Sequence, residues 1–307
     1  MLNIRNLNVK FQGRNNLAVV RGFDLTVKPG EKTVLLGESG SGKSMILLAI
    51  LGLLPETAQI SGCIMWHRQN LVTLSPKELT KIRGREIAYI PQGGGNGLNP
   101  VMRIGQQLTE GLPLATAAAR QNLAVRLLQK FSINNAAKVS SQYPHMLSGG
   151  MKQRVLIAIG TARAAQLILA DEPTKGLDKQ RVAEVIQSFK AMPETALVCV
   201  THDLAFAQEL ASNIVVLYAA TVLEYGPQQD FFTRPLHPYS QALIAALPEN
   251  GLHVLDGFAP PHAELCRGGC VFFARCSKRT AKCNQEPPFF NLGTQKVRCW
   301  RYADATD

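Results

Sequence analysis

The segment Thr33-Val-Leu-Leu-Gly37-Glu-Ser-Gly-Ser-Gly-Lys43-Ser44-Met45-Ile-Leu-Leu decides the fold of this 307-residue chain. The apolar run Thr33–Leu36 predicts a buried strand, and the run Met45–Leu54 predicts a helix. Between them, Gly37–Ser44 fits the pattern G-x-x-x-x-G-K-[ST], whose glycines let backbone N–H groups turn inward around a phosphate. Lys43 adds a positive charge for the outer phosphates, and the Ser44 hydroxyl is a ligand for Mg²⁺. The segment therefore predicts a site for a nucleoside triphosphate and magnesium.

The composition is typical of an ordered protein that carries an excess of positive charge. The chain has 33 Lys+Arg against 22 Asp+Glu, a formal charge of +11, and 46% hydrophobic residues. These values exclude a disordered chain, and the length predicts about two domains. The longest apolar run, near residues 45–55, is shorter than the ~20 residues that span a bilayer. The N-terminal residues lack the apolar core of a signal peptide, so we expect a cytoplasmic protein.

Short apolar runs alternate with longer helical patterns up to about residue 225, which is typical of a parallel sheet with helices on its faces. The predicted strands are Lys32–Leu36, Glu86–Ile90, Leu167–Ala170, Leu197–Thr201 and Ile214–Tyr218. A stretch with helical spacing, about residues 93–165, predicts a helical subdomain. We therefore expect an α/β domain over residues 1–225 and a C-terminal extension over residues 226–307.

Two carboxylates directly follow one of these apolar runs. Asp171 lies where a strand ends and can hold Mg²⁺ through water, while Glu172 can polarise an attacking water as a general base. His202 ends another strand and can hydrogen-bond the terminal phosphate. Alone, such residues are more often structural, but together with a phosphate-binding loop they indicate hydrolysis.

The segment Leu147-Ser-Gly-Gly-Met-Lys-Gln-Arg154 carries a second phosphate-binding feature. Ser148 is expected to cap a helix that starts at Gly149, which leaves N–H groups and the positive end of the helix dipole for a phosphate. Because this segment lies about a hundred residues after the phosphate loop, we expect it to face the nucleotide of another subunit.

In this order, the motifs resemble the nucleotide-binding subunit of ABC transporters over residues 1 to about 225. The resemblance implies a P-loop NTPase fold: an ABC ATPase core with a RecA-like parallel sheet, an antiparallel β part and a helical subdomain. It implies that Gly37–Ser44 is the Walker A loop and that Asp171 and Glu172 close the Walker B strand. Gln92 matches the Q-loop glutamine, which senses Mg²⁺ and the attacking water.

The resemblance also assigns a role to each remaining site residue. The catalytic residues are Glu172, Gln92 and the switch histidine His202. The ATP-binding residues are Phe11, which stacks on adenine, Gly37, Ser39, Gly40, Gly42, Lys43, Ser44 and Asp171. The Mg²⁺ ligands are Ser44, Gln92 and Asp171. The residues that face the ATP of the partner subunit are Ser148, Gly149, Gly150 and Gln153 of the signature and Asp178 of the D-loop.

The cysteines crowd the C-terminal end of the chain. Five of the seven fall in the last 42 residues: Cys266, Cys270, Cys276, Cys283 and Cys299. Such clustering in a cytosolic chain indicates a metal site instead of disulfides. The spacings x5, x6 and x15 from Cys270 to Cys299 lack the C-x2-C pairs of a zinc ribbon and favour a [4Fe–4S] cluster on the last four cysteines, with zinc as the alternative. Cys266 ranks below them as a ligand.

The extension narrows the resemblance to importers of dipeptides, oligopeptides and nickel. This narrower resemblance rests on the segment Arg234-Pro-Leu-His-Pro-Tyr and on the cysteine pattern. In that group of importers, four cysteines can hold an iron–sulfur cluster. Two departures stand out: Gly93–Gly97 replaces Asp-Pro-Met-Thr-Ser, and Lys175 replaces a usual Thr or Ser. The extension reads as too short and polar to form a core of its own, so we expect the metal to staple it.

The resemblance implies an ATP-hydrolysing subunit that energises import of peptides, nickel or metal chelates. The implied partners are a second, homologous ATPase subunit in a heterodimer, two transmembrane permease subunits and, through these, an extracytoplasmic solute-binding protein. The chain would lie peripherally on the cytoplasmic face of the inner membrane. A soluble ABC-type ATPase that acts on nucleic acid is the alternative, which the +11 charge invites. The basic excess sits among the cysteines, however, so we expect no nucleic acid partner.

Overall fold

The computed structural model describes residues 1–11, 17–93, 97–113, 116–251 and 268–304. Its strands are β1 Leu2–Phe11, β2 Leu17–Val27, β3 Lys32–Leu36, β4 Ala58–Trp66, β5 Gln69–Asn70, β6 Ile87–Ile90, β7 Leu167–Asp171, β8 Ala196–Thr201, β9 Asn213–Tyr218, β10 Thr221–Pro227, β11 Phe290–Leu292 and β12 Gln295–Val297. Its α-helices are α1 Lys43–Leu51, α2 Pro76–Ile82, α3 Ile104–Thr109, α4 Ala117–Lys130, α5 Ala136–Ser141, α6 Gly149–Thr161, α7 Lys179–Lys190, α8 Leu204–Leu210, α9 Gln228–Thr233 and α10 Pro238–Ala245. None of the helices in the described ranges is both long and apolar enough to span a membrane.

The strands predicted from apolar runs are all present, and their ends differ from the prediction by at most one residue. β3, β7 and β8 consist of buried residues throughout. A parallel strand that is covered on both faces needs apolar side chains at nearly every position, which is why these runs are continuous instead of alternating. The predicted α/β class is confirmed.

The first compact unit comprises the described parts of Met1–Lys28, Lys32–Leu74 and Thr201–Asp307. It contains the antiparallel sheet β2-β1-β4-β5, which is the antiparallel β part that the resemblance implies. It also contains the strand order β11-β12-β10-β9-β3, in which β3 pairs with β9 in parallel. The helix α1 is the next element after β3, and the six residues between them form a loop that begins where the apolar strand ends.

The second compact unit comprises Pro29–Glu31 and Ser75–Val200. Its strands β6, β7 and β8 are parallel, with β7 in the middle. The helices α3 to α6 lie within the stretch for which the spacing predicts a helical subdomain. The predicted boundary near residue 225 stays a prediction, since β10 runs through that position and pairs with β12 of the extension.

The C-terminal extension pairs with β10 through its backbone and contains a small apolar cluster of its own. The hairpin β11–β12 adds to β10, and four buried side chains pack together beside it: Leu236, Phe290, Val297 and Cys299. The expectation that this segment is too polar to form a core is therefore wrong. Its apolar residues are few, but the hairpin brings them together at the edge of an existing sheet.

A buried carboxylate anchors the start of the extension to the same strand. Glu224 on β10 is only 1% exposed. Its carboxylate accepts hydrogen bonds from the backbone N–H groups of Leu236 at 3.0 Å and His237 at 2.7 Å. Burial raises the pKa of Glu224, and these hydrogen bonds oppose the rise by favouring the charged form.

We predict that Glu224→Ala lowers the free energy of unfolding by about 2–4 kcal/mol, because it leaves two buried N–H donors without an acceptor. Glu224→Gln keeps one acceptor oxygen and should lose less. Thermal unfolding of both variants, with the exposed Glu249→Ala as control, measures the difference. A melting temperature of Glu224→Ala equal to that of the control would contradict this anchoring role.

Candidate active site

The loop Gly37–Gly42 connects β3 to α1 and passes close to neighbouring strands. Gly42 caps α1 with φ 94°, a left-handed conformation that favours glycine. A Cβ atom on Gly42 would lie 2.1 Å from the carbonyl oxygen of Val19, and one on Gly37 would lie 2.1 Å from that of Leu217. Both glycines are thus required by backbone packing, which holds the loop in one shape.

This loop presents the features that a polyphosphate requires. The ammonium of Lys43 donates hydrogen bonds to the carbonyl oxygens of Gly37 at 2.7 Å and Glu38 at 2.8 Å, so it lies directly over the loop. Ser39 and Gly40 are exposed at the tip, and Ser44 is half-buried in the first turn of α1. The helix N-terminus and the lysine concentrate positive potential here, which fits an anionic ligand.

Three residues with predicted catalytic or Mg²⁺ roles lie at one edge of the parallel strands of the second unit. Asp171 ends β7 and is 4% exposed, and Glu172 follows it at 8%. Ile90 of β6 pairs with Ala170 of β7, so the exposed Gln92 leaves the sheet at the same edge. Burial raises the pKa of Tyr89 to about 12, and the negative charge of Asp171 adds to this shift.

Glu172 has an unusual backbone conformation for a residue with a side chain. Its φ is 48°, in the left-handed region, and its N–H donates to the carbonyl oxygen of Val200 at 2.8 Å. Left-handed conformations of non-glycine residues cost about 1–3 kcal/mol and cluster at functional sites. The chain therefore makes a sharp turn immediately after β7, at the residue for which the sequence predicts a general base.

Two predicted residues of the first unit lie at strand ends. His202 is exposed and directly follows β8, and the next residue, Asp203, caps α8 by accepting from the N–H of Phe206 at 3.0 Å. Phe11 is the last residue of β1 and is half-buried. The segment that follows Phe11, residues 12–16, lies outside the described residues.

The signature segment starts α6 as predicted. The Ser148 hydroxyl accepts from the N–H of Met151 at 3.4 Å, and both Ser148 and Gly149 are exposed. Gly150 is half-buried in the first turn of the helix. Asp178 is exposed too and caps α7 by accepting from the N–H of Arg181 at 3.0 Å.

Gln153, which the sequence analysis groups with these exposed residues, is placed differently. It is 1% exposed, and its amide donates to the carbonyl oxygen of Pro173 at 2.9 Å. The residues that follow it on α6, Arg154 to Ala158, are buried as well, so the helix is enclosed by the protein from this point on. Gln153 therefore supports the segment after Glu172, and its role toward the ATP of another subunit stays a prediction.

The chain departs from the family pattern at Gly93–Gly97 and at Lys175. Within the first of these segments, residues 94–96 lie outside the described residues. Lys175 is exposed, and nothing in the structure explains its presence.

Four cysteines of the extension line one cavity of about 70 Å³: Cys270, Cys276, Cys283 and Cys299. All the cysteines in the described ranges are free thiols, and Cys266 lies outside those ranges. Burial raises the pKa of Cys270 to about 11, and it raises the pKa of Cys276 and Cys299 as well, with neighbouring thiols adding to each shift. In the described part of the chain, no three His, Cys, Asp or Glu side chains are close enough to hold a single metal ion.

Two residues that the sequence analysis does not single out contact the phosphate loop. The N–H of Glu38 donates to the hydroxyl of Tyr239 at 3.1 Å, and Arg275 donates to the Glu38 carboxylate at 2.8 Å. These partners lie 201 and 237 residues from Glu38 in the chain. No pattern in a single sequence links positions so far apart. The only sequence signal that could have drawn attention to Arg275 is its position next to Cys276.

Comparisons with known families agree with this set of features. The sequence profile of the family described as "ABC transporter" matches residues 20–175, and that of "Oligopeptide/dipeptide transporter, C-terminal region" matches residues 223–283. A solved structure of the ATP-binding cassette MJ0796, a dimer bound to ADP and phosphate, superposes with a TM-score of 0.67. It is 26% identical and covers 74% of this chain and 99% of its own.

Similar proteins extend the match to nearly the whole chain. The oligopeptide transport ATP-binding protein AppD of Bacillus subtilis is 36% identical over 99% of this chain and 97% of its own length. The dipeptide transport ATP-binding protein DppD of Haemophilus influenzae is 35% identical over 97% and 94%, respectively. With a phosphate loop, a carboxylate pair and a capped signature helix in place, the chain belongs to the ABC transporter family of ATP-hydrolysing subunits.

Proposed function

We propose that this chain hydrolyses ATP to energise an importer of oligopeptides or dipeptides. The observation that carries this proposal is the match to peptide transport ATP-binding proteins along the whole chain, including the extension. The relatives described above are named for peptides, which favours a peptide over nickel or a metal chelate as the solute. The same match speaks against a nucleic acid ATPase.

In the proposed site, ATP lies with its phosphates on the loop Gly37–Gly42 and its adenine against Phe11. Backbone N–H groups and Lys43 hold the β and γ phosphates. Ser44, Asp171 and Gln92 would hold Mg²⁺, a fit supported by one hydroxyl, one carboxylate and one amide oxygen, which are the hard ligands it prefers. When bound, Mg²⁺ neutralises charge on the phosphates.

The proposed chemistry places a water between Glu172 and the γ-phosphate. Glu172 accepts a proton as the water attacks, and His202 donates a hydrogen bond to the γ-phosphate. The left-handed backbone of Glu172 supports this role, since such strain persists where a side chain must be held in one direction. Asp171 would hold the metal and Glu172 the water, so the two neighbouring carboxylates have separate tasks.

The exposed start of α6 supports a shared site. Ser148, Gly149, Gly150 and the D-loop residue Asp178 would complete the ATP site of a second, homologous ATPase subunit. A helix N-terminus that keeps unpaired N–H groups at its surface is suited to a phosphate. The remaining partners that we propose are two permease subunits, with a solute-binding protein on their far side, and they would hold this chain at the cytoplasmic face of the membrane.

We also propose that Cys270, Cys276, Cys283 and Cys299 hold one [4Fe–4S] cluster. Their convergence on one cavity supports a shared ligand. A zinc ion binds each sulfur at about 2.3 Å and needs its ligands close together, whereas the atoms of a cluster spread them apart. The choice of a cluster over zinc rests on the x5, x6 and x15 spacings, which lack the C-x2-C pairs of a zinc ribbon. Because burial raises the pKa of Cys270, Cys276 and Cys299, binding would release protons.

We predict that Glu172→Gln and Lys43→Ala separate catalysis from binding. In the assembled transporter, Glu172→Gln should lower hydrolysis at this chain's own ATP site about 10²- to 10⁴-fold while ATP affinity is kept, because the amide preserves shape but accepts no proton. Lys43→Ala should instead weaken ATP binding. The exposed Glu194→Gln serves as control. Near-normal hydrolysis by Glu172→Gln would exclude Glu172 as the base.

We predict that Ser148→Arg acts on the partner's ATP site. In a chain that also carries Glu172→Gln, the residual hydrolysis of the complex belongs to the partner, and Ser148→Arg should reduce it further because a bulky charge replaces the helix cap. Ser141→Arg at the end of α5 is the matched control. If both arginine variants leave the residual rate unchanged, the shared-site proposal fails.

We predict that protein purified without oxygen is brown and contains iron and acid-labile sulfide in equal amounts, about four of each per chain. Cys283→Ser should lower both contents, whereas Cys63→Ser, outside the cavity, should not. Stoichiometric zinc in colourless protein, or no metal at all, would contradict the cluster.

A further inference from the structure

The first variable position of the phosphate loop is held by two residues from the C-terminal third of the chain. The Glu38 carboxylate accepts from Arg275 at 2.8 Å and 3.1 Å, one distance to each oxygen, while its N–H donates to the Tyr239 hydroxyl at 3.1 Å. The Arg275 side chain is 8% exposed and that of Glu38 is 33% exposed. This ion pair is therefore partly shielded from solvent, unlike an ordinary surface pair.

Arg275 is itself fixed by aromatic side chains. Its guanidinium lies over the ring of Tyr218 at 5.8 Å. The Tyr218 ring packs against Tyr239 at 4.9 Å and against Phe272 at 5.3 Å. Since Tyr218 ends β9, which pairs with β3, this aromatic group rests on the same strands that support the phosphate loop.

The cysteine segment sets the position of Arg275 along the backbone. Arg275 ends a short turn between two of the cavity cysteines, Cys270 and Cys276. The N–H of Cys270 donates to the carbonyl oxygen of Cys283 at 2.9 Å, and the N–H of Phe273 donates to that of Cys270 at 2.9 Å. The guanidinium is therefore carried by a backbone that the cysteines organise.

The charge of Glu38 gives this contact a consequence for ATP binding. A carboxylate on a loop that binds phosphates repels the ligand unless a cation neutralises it. Arg275 supplies that cation by binding the Glu38 carboxylate, whereas Lys43 binds the backbone carbonyl oxygens of the loop. Tyr239 at the same time fixes the backbone of the residue whose carbonyl oxygen accepts from Lys43.

We propose that Arg275 and Tyr239 are positioning residues for ATP: together they neutralise Glu38 and hold the Walker A loop in its binding shape. This inference rests on the proposed ATP site at Gly37–Ser44. The cysteine-rich extension thereby supports nucleotide affinity in this chain, in addition to its structural role.

The test measures equilibrium binding of radiolabelled ATP to the assembled transporter, in a Glu172→Gln background that blocks hydrolysis. Arg275→Gln should raise the Kd about five- to twentyfold, because Glu38 is left charged and unpaired. Glu38→Gln combined with Arg275→Gln should return the Kd to within about threefold of the starting value, since the repulsive charge is gone. Tyr239→Phe should raise the Kd about threefold, because one N–H loses its acceptor.

The matched control is Arg279→Gln, on the same segment, whose guanidinium stacks on Phe273 at 5.5 Å. In the background without Glu172→Gln, Arg275→Gln should raise the KM for ATP and leave kcat within about twofold, as expected when only binding is affected. Thermal midpoints are measured for every variant.

Three results would overturn the inference. The first is an Arg275→Gln variant that binds ATP as well as Arg279→Gln does. The second is an equal loss of ATP affinity and of thermal midpoint in Arg275→Gln and Arg279→Gln. The third is a Glu38→Gln, Arg275→Gln double variant whose Kd for ATP is no lower than that of Arg275→Gln alone. Lys43→Ala tells these failures from failure of the ATP site: if it too binds ATP normally, the proposed site is wrong.

Discussion

The constraint on which this structure depends is the fixed shape of the loop between β3 and α1, where we propose that a polyphosphate binds to backbone N–H groups. That constraint explains the two glycines whose Cβ atoms would collide with strand carbonyls, and it explains why a fully buried strand precedes the loop. A loop that must keep its shape without large side chains takes its rigidity from its neighbours. The strands β3 and β9, Tyr239 and Arg275 provide it here.

The features that follow from local sequence could be predicted, and those that depend on distant contacts could not. The phosphate loop, the strands β3 and β7 and the Ser148 cap each arise from a few adjacent residues, so pattern and chemistry suffice. The contact of Glu38 with Arg275 joins positions 237 residues apart. The burial of Gln153 and the pairing of β12 with β10 depend likewise on how helices and strands pack, which spacing alone does not encode.

The C-terminal extension has more roles than its composition suggests. Its hairpin adds two strands to the sheet. The backbone of Leu236, near its start, is hydrogen-bonded to the buried Glu224, and four of its cysteines line one cavity. The basic residues around that cavity would balance the negative charge of thiolates. The extension thus has a small apolar cluster of its own and is joined to β10 by hydrogen bonds and to the phosphate loop by an ion pair.

The most direct test of the central claim is ATP-driven uptake of a labelled di- or oligopeptide into vesicles that contain the transporter assembled with this chain and its solute-binding protein. Uptake should require ATP and should stop when this chain is omitted. Intact complexes that hydrolyse ATP but take up no peptide, with hydrolysis stimulated by nucleic acid instead, would contradict it.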